Sequence, residues 1–211
     1  MSHQQRIDNA RTQGWDLDTF DAFRRFAGDN PGAVGFELGA IGVAEGRALH
    51  TRAITGPYVL GGERIDRPAR AYAYHLGAHR EVEAALGLLA PTDRPEATEM
   101  VLAALTACIN AAVGASALDR GMRLTHLETR AYIDWSPAVF LNLVDAAEDN
   151  LPVDQFGDLR IELHVRGENL GREDLAYLQA SVSRSAVYNL LRRSHECVPA
   201  VVAAGAMTQA A

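Results

Sequence analysis

The stretch Pro95-Glu96-Ala97-Thr98-Glu99-Met100-Val101-Leu102-Ala103-Ala104-Leu105-Thr106-Ala107-Cys108 opens the most apolar part of the chain and decides its fold. Proline suits a first helical turn, where its missing N–H is no loss, and Glu96 and Glu99 stand where carboxylates complement the helix dipole. The spacing predicts a helix from Pro95 to Arg120, closed by Gly121. From Met100 to Ala117 it is apolar almost all the way round, with Thr106 and Asn110 as the main polar exceptions. A helix apolar on every face is expected to be buried on every face. That calls for a sheet on one side and a partner subunit or second helix on the other. The small side chains of Ala103, Ala104, Ala107, Ala111, Ala112 and Gly114 would let that second element approach closely.

Upstream, Asp16 to Gly28 reads as a short amphipathic helix with Leu17, Phe20, Phe23 and Phe26 on one side, stopped by Gly28 and Asn30-Pro31. It is expected to pack that aromatic stripe on the main domain. Val34 to His75 reads as an antiparallel meander that includes Phe36-Glu37-Leu38 and Leu49 to Ile54. Its breaks are Glu45-Gly46, Gly56-Pro57 and Gly61-Gly62. Glu81 to Leu88 is a candidate helical turn. Downstream, Leu124 to Trp135 is expected as a strand, followed by a proline- and acid-containing connection over 136–157. Leu159 to Arg166 alternates strictly and should bury Leu159, Ile161, Leu163 and Val165 on one face. One helix from Arg172 to Arg193 and a last strand from Val198 to Ala203 complete the order. Segregated runs of strands and helices indicate an α+β fold and argue against a doubly wound sheet. The expected division is an N-terminal extension over 1–32, a main domain over 33–203 and a flexible tail over 204–211.

The net charge of −7 argues against a nucleic-acid partner, which needs a basic face. All twenty basic residues are arginine, which excludes a Schiff-base enzyme and a Walker-type phosphate loop, both of which need lysine. No apolar run reaches the ~20 residues that span a bilayer, and Met1 to Gln13 lacks the apolar core of a signal peptide. Two cysteines are too few for a disulfide framework, so a cytoplasmic location is expected.

The segment Ala97 to Cys108 resembles the central helix of the OsmC/Ohr family, whose signature runs P-x-x-E-x-L-L-A-A-L-A-x-C. Arg120-Gly121-Met122, Leu127 to Asp134, Phe156-Gly157 to Val165, and Arg184-Ser185-Ala186-Val187-Tyr188-Asn189 resemble further family segments in the family's order. The resemblance covers residues 16–202. It implies an OsmC-like α+β fold with antiparallel sheets packed on a long buried helix. It also implies an intertwined homodimer in which each active site draws on both subunits. Well-known members of that family reduce organic hydroperoxides with two cysteines. A thiolate attacks the peroxide and becomes a sulfenic acid, and a second cysteine resolves it.

Carried over residue by residue, Cys108 stands at the peroxide-attacking position and Glu99 matches the helix-start glutamate of one branch. Ser185 replaces the resolving cysteine, which leaves an external thiol to regenerate Cys108. The family's arginine turn corresponds to Gly42-Val43-Ala44-Glu45-Gly46-Arg47, where Ala44 takes the arginine position unless a two-residue shift brings in Arg47. Arg52 and Arg184 are the other candidates to stabilise the thiolate, and Ser185 is a candidate hydrogen-bond donor to it. These departures speak against two-cysteine chemistry. They leave a single-cysteine reaction with a peroxide or another electrophile, or a non-redox protein that uses an interfacial cavity for a small apolar ligand or a biosynthetic substrate.

Each candidate also has a plainer explanation. A mid-helix cysteine among alanines is often inert packing. Glu99 lies nine residues before Cys108, hence on the opposite side of a straight helix and ~13 Å along it, so it is first of all a dipole partner. Cys197 falls away from the resolving position and is expected to be a free or buried thiol. His75 and His79 are spaced for metal chelation only if helical, and they read as a surface pair; no metal or cofactor is expected. His164 falls on the solvated face of its strand, and His126 and His195 have no visible partner. Tyr132, Trp135, Phe140, Phe156 and Tyr188 are candidates to line a pocket, core packing being their commoner fate.

Overall fold

In a computed structural model of the protein, Ala97–Arg120 forms a single helix of 24 residues, α4, with three α-helices before it and two after it among the described residues. The structure describes residues 3–138, 140, 141, 143, 156–193, 199 and 200. Helix α4 begins at the N-cap Glu96, whose N–H donates to Glu99 Oε2 at 2.9 Å. It ends where Gly121 adopts φ 80°, a left-handed conformation that costs a residue without Cβ little. Pro95 therefore lies just outside the helix, which starts two residues later than its sequence suggests.

The core is built on one face of α4. Leu105, Ile109, Val113 and Ala117 recur at four-residue spacing and are buried together with Met122 and Leu178. Opposite them stand β7 (Leu124–Tyr132) and β8 (Arg160–Gly167), an antiparallel pair that contributes Leu127, Ala131, Ile161, Leu163 and Val165. The alternation read in Leu159 to Val165 thus places its apolar side inward, as expected. Strand β7 stops at Tyr132, and Trp135 joins Phe156 only through an isolated bridge.

The expected single helix over 172–193 is divided. Helix α5 covers Arg172–Ser181, a tight turn covers Val182–Arg184, and α6 covers Ala186–Arg192. Serines explain the break. Ser181 and Ser183 turn their hydroxyls back onto the Tyr177 and Ala180 carbonyls, and Ser185 caps a new helix by accepting the Tyr188 N–H at 3.2 Å.

The N-terminal half supplies two small sheets. One joins β1 (Phe36–Glu37), β4 (Tyr58–Leu60) and β5 (Glu63–Ile65). The other joins β2 (Ala40–Ala44), β3 (Thr51–Thr55) and β6 (Tyr72–Leu76), both sheets being antiparallel throughout. Strand β2 is exposed along its whole length, and Ile41, Val43, Tyr72 and Tyr74 show apolar surface to solvent. Helix α4 has a matching bare face, since Val101, Ala104, Ala107 and Ala111 are exposed. Burial on every face, expected from sequence, is met on one face only within a single chain.

Two helices precede the sheets, where the sequence suggested one: α1 (His3–Thr12) and α2 (Leu17–Asp29). Ala10, Leu17 and Leu118 form a second cluster with Trp15 and Phe20, and Arg24 pairs with Asp119 of α4 at 3.2 Å. The expected aromatic stripe packs only through Leu17 and Phe20, because Phe23 and Phe26 remain exposed. Helix α1 was hidden by its polar sequence, which buries little beyond Ala10. Of the expected last strand over 198–203 only residues 199 and 200 are described, and they are exposed and not in a strand; His195, Cys197, the tail over 204–211 and most of the 136–157 connection lie outside the described residues.

Candidate functional site

Cys108 sits half-buried in the middle of α4, on the side facing α6. Burial pushes its thiol pKa up. The Ser185 hydroxyl and the backbone N–H groups of Val187 and Ala186 outweigh that and hold the thiol below its ordinary value. Ser185 is fully buried, and its oxygen already accepts the Tyr188 N–H, so its single O–H is free to point at sulfur. The Ala186 and Val187 N–H groups belong to the first turn of α6, where backbone donors have no partner within the helix. The serine-driven break between α5 and α6 is therefore what brings three donors to one sulfur.

No arginine acts on the Cys108 thiol within the chain. Arg47 donates to the carbonyls of Leu89 (2.6 Å) and Ala90 (2.7 Å) and lies 3.8 Å from Glu83. Arg184 donates to Ser116 Oγ at 2.9 Å and stacks over Tyr177. Arg52 is exposed on β3. Glu99 stays at the start of α4, where the Glu96 N–H and then His79, at 3.2 Å, hold its carboxyl below the usual range.

A second polar cluster was not legible in sequence. Glu83 of α3 (Arg80–Ala85) is completely buried, and His50 is 3% exposed. Glu83 accepts the Thr92 N–H at 2.6 Å and the Thr92 hydroxyl at 3.1 Å, and its Oε1 lies 2.7 Å from His50 Nε2. The Thr92 N–H above all, and then His50, bring its pKa down from 4.5 to about 2. With Arg47, and with Glu45 bonded to both Arg94 and His75, this cluster ties the β2–β3 turn to the loop before α4. Its members are 9 and 33 residues apart, and neither interval is a helix or strand period that would flag them as neighbours.

His75 pairs with Glu45 and His79 with Glu99 and Glu96, so the two histidines serve separate carboxylates. Among the described residues, no group of three or more His, Cys, Asp or Glu is arranged to hold a metal ion. The aromatic candidates also divide. Trp135 and Phe140, with Pro137 and Leu141, line an apolar groove of about 640 Å³ against α3 and the start of α4. Tyr188 lines another cavity, beside β8 and α5, and Tyr132 is exposed on β7. The first groove lies at Ala97 and Thr98, ten residues from Cys108 and thus ~15 Å away along α4.

Among solved structures, the chain is similar to an OsmC-like protein from Mycoplasma pneumoniae, at 11% identity and TM-score 0.47, covering 75% of this chain and 87% of that one. It is also similar to an organic hydroperoxide resistance protein from Elizabethkingia anophelis, at 13% identity and TM-score 0.47, covering 74% and 88%. An OsmC-like hydroperoxide resistance protein from Jannaschia sp. shares 18% identity at TM-score 0.36, covering 75% and 87%. No curated protein matches. The family model for OsmC-like proteins matches residues 90–198, more than half of the 211-residue chain and the part that holds α4, β7, β8, α5 and α6. The chain belongs to the OsmC-like family.

Proposed function

We propose that this OsmC-like protein reduces organic hydroperoxides through Cys108, as a homodimer regenerated by an external thiol. The observation that carries the proposal is the half-buried Cys108 on α4, the helix on which the Ser185-capped α6 packs; the first-turn donors of α6 hold the thiol below its ordinary pKa and favour the thiolate. The thiolate attacks the peroxide oxygen that carries hydrogen. The O–O bond breaks, and the alkoxide leaves with a proton as an alcohol, while Cys108 becomes a sulfenic acid. One external thiol displaces water to form a mixed disulfide, and a second releases Cys108 and departs as the oxidised disulfide. Ser185 cannot form that disulfide itself, and Cys197 falls away from the resolving position in sequence, so an external thiol is the proposed reductant.

Two exposed apolar surfaces support the homodimer: the bare face of α4 and the sheet β2-β3-β6 with Ile41, Val43, Tyr72 and Tyr74. Monomeric proteins seldom leave such surfaces in water. In a dimer, Arg52, exposed on β3, would be available to the partner's site. Peroxide consumption with dithiothreitol as reductant tests the proposal. The wild type and Cys197→Ser should turn over and Cys108→Ser should not; equal turnover by Cys108→Ser would overturn it.

A second property, the binding of a small molecule apart from the thiol, is favoured by the groove at the start of α4. Its walls are apolar and its volume suits a small organic ligand.

A further inference from the structure

The groove between α3 and α4 combines apolar walls with charge of one sign. Leu49, Val82, Leu86, Trp135, Phe140 and Leu141 supply its apolar surface. Its charged and hydroxyl side chains are Glu81, Glu96 and Thr98, and among the described residues no basic one lines it. Glu81 lies on the exposed side of α3. Glu96 is 16% exposed in its side chain, and it caps α4 while keeping further acceptor capacity, since a carboxylate offers about four lone-pair sites. His79, which pairs with Glu99 and Glu96, stands outside the lining. It lies 3.2 Å from Glu99 but 3.9 Å from Glu96, so it is the nearer partner of Glu99.

Apolar walls lower the local dielectric, which strengthens the pull of a carboxylate on a cation and its repulsion of an anion. From this we infer that the groove binds a small apolar amine, with its hydrocarbon body against Trp135 and Leu86 and its ammonium toward Glu81 and Glu96. This rests on the ligand-binding property proposed above and adds the chemical class of the ligand. It requires no reaction at Cys108. An apolar acid of the same size is disfavoured, because its carboxylate would face two like charges with no arginine to receive it.

Calorimetric titration of the full chain with octylamine, 1-octanol and octanoate at neutral pH tests this. These probes share a hydrocarbon chain length and differ in head-group charge. One octylamine per chain should bind about tenfold more tightly than octanol, as one charge-assisted hydrogen bond would give, and octanoate most weakly. Glu81→Gln and Glu96→Gln should each narrow the gap between amine and alcohol while leaving octanol affinity unchanged. Glu81→Gln is the safer variant, because Glu96 also caps α4. Trp135→Ala should weaken both ligands. If octanol and octanoate bind as tightly as octylamine, the charge selectivity is overturned while ligand binding stands. If no probe binds, as when a second copy of the chain fills the groove, or if Trp135→Ala changes nothing, both fall.

Discussion

Ser185, which has no exposed surface, stands at the start of α6 where that helix packs on α4, and its hydroxyl helps to hold the Cys108 thiol below its ordinary pKa. Its donation favours the thiolate, so its removal should return the thiol toward ordinary reactivity. Ser185→Ala forfeits one hydrogen bond of about 1 kcal/mol, which corresponds to roughly fivefold slower alkylation of Cys108 by iodoacetamide at neutral pH. Unchanged or faster alkylation would show that the hydroxyl does not stabilise the sulfur anion.

Glu83 gives the fold an acid-sensitive joint. Its pKa is depressed from 4.5 to about 2, so its contribution to stability is complete above pH 4.5 and is lost as the pH falls toward about 2. Thermal melts of the wild type should fall steeply over that window. Glu83→Gln should melt lower at neutral pH, and its loss of stability between pH 4.5 and 2 should be shallower.

The bare face of α4 offers a direct probe of association. Ala107 is exposed within one chain, so Ala107→Glu should leave the folded monomer intact. Burying that carboxylate against a second α4 would cost several kcal/mol, enough to weaken the dimer by roughly a hundredfold or more. Light scattering on the eluting species should show the mass halve at micromolar concentration.

The other face of α4 carries the core. Ile109 is completely buried among Leu105, Val113 and Leu178. Ile109→Ala should cost about 3 kcal/mol in urea unfolding, from lost transfer energy and the cavity left behind. A cost under ~1 kcal/mol would place Ile109 outside a packed core.

What the sequence disclosed follows from periodicity. The run from Ala97 to Arg120 and the alternation of Leu159 to Val165 announce burial through side chains close in sequence, and both elements form where expected. The break at Ser185 was hidden because a helical stripe continues across it, and only the competition of three serine hydroxyls with the backbone interrupts the helix. Cys108 and Ser185 were both singled out, but the backbone donors of Ala186 and Val187 appear only once α6 starts afresh. His50, Glu83 and Thr92 escaped notice because their meeting depends on how the β2–β3 turn docks on α3. The bare face of α4 answers to its stripe of small residues, for which the sequence called for a partner subunit or a second helix.

The most direct test of the central claim is the loss of the Cys108 thiol on titration with an organic hydroperoxide across pH, in the Cys197→Ser background. Rapid loss of one thiol per chain is expected, with a midpoint below that of an ordinary cysteine and a sulfenic acid trapped by dimedone. Slow, unselective loss that tracks an ordinary or raised thiol pKa would contradict it and leave Cys108 as part of the packing.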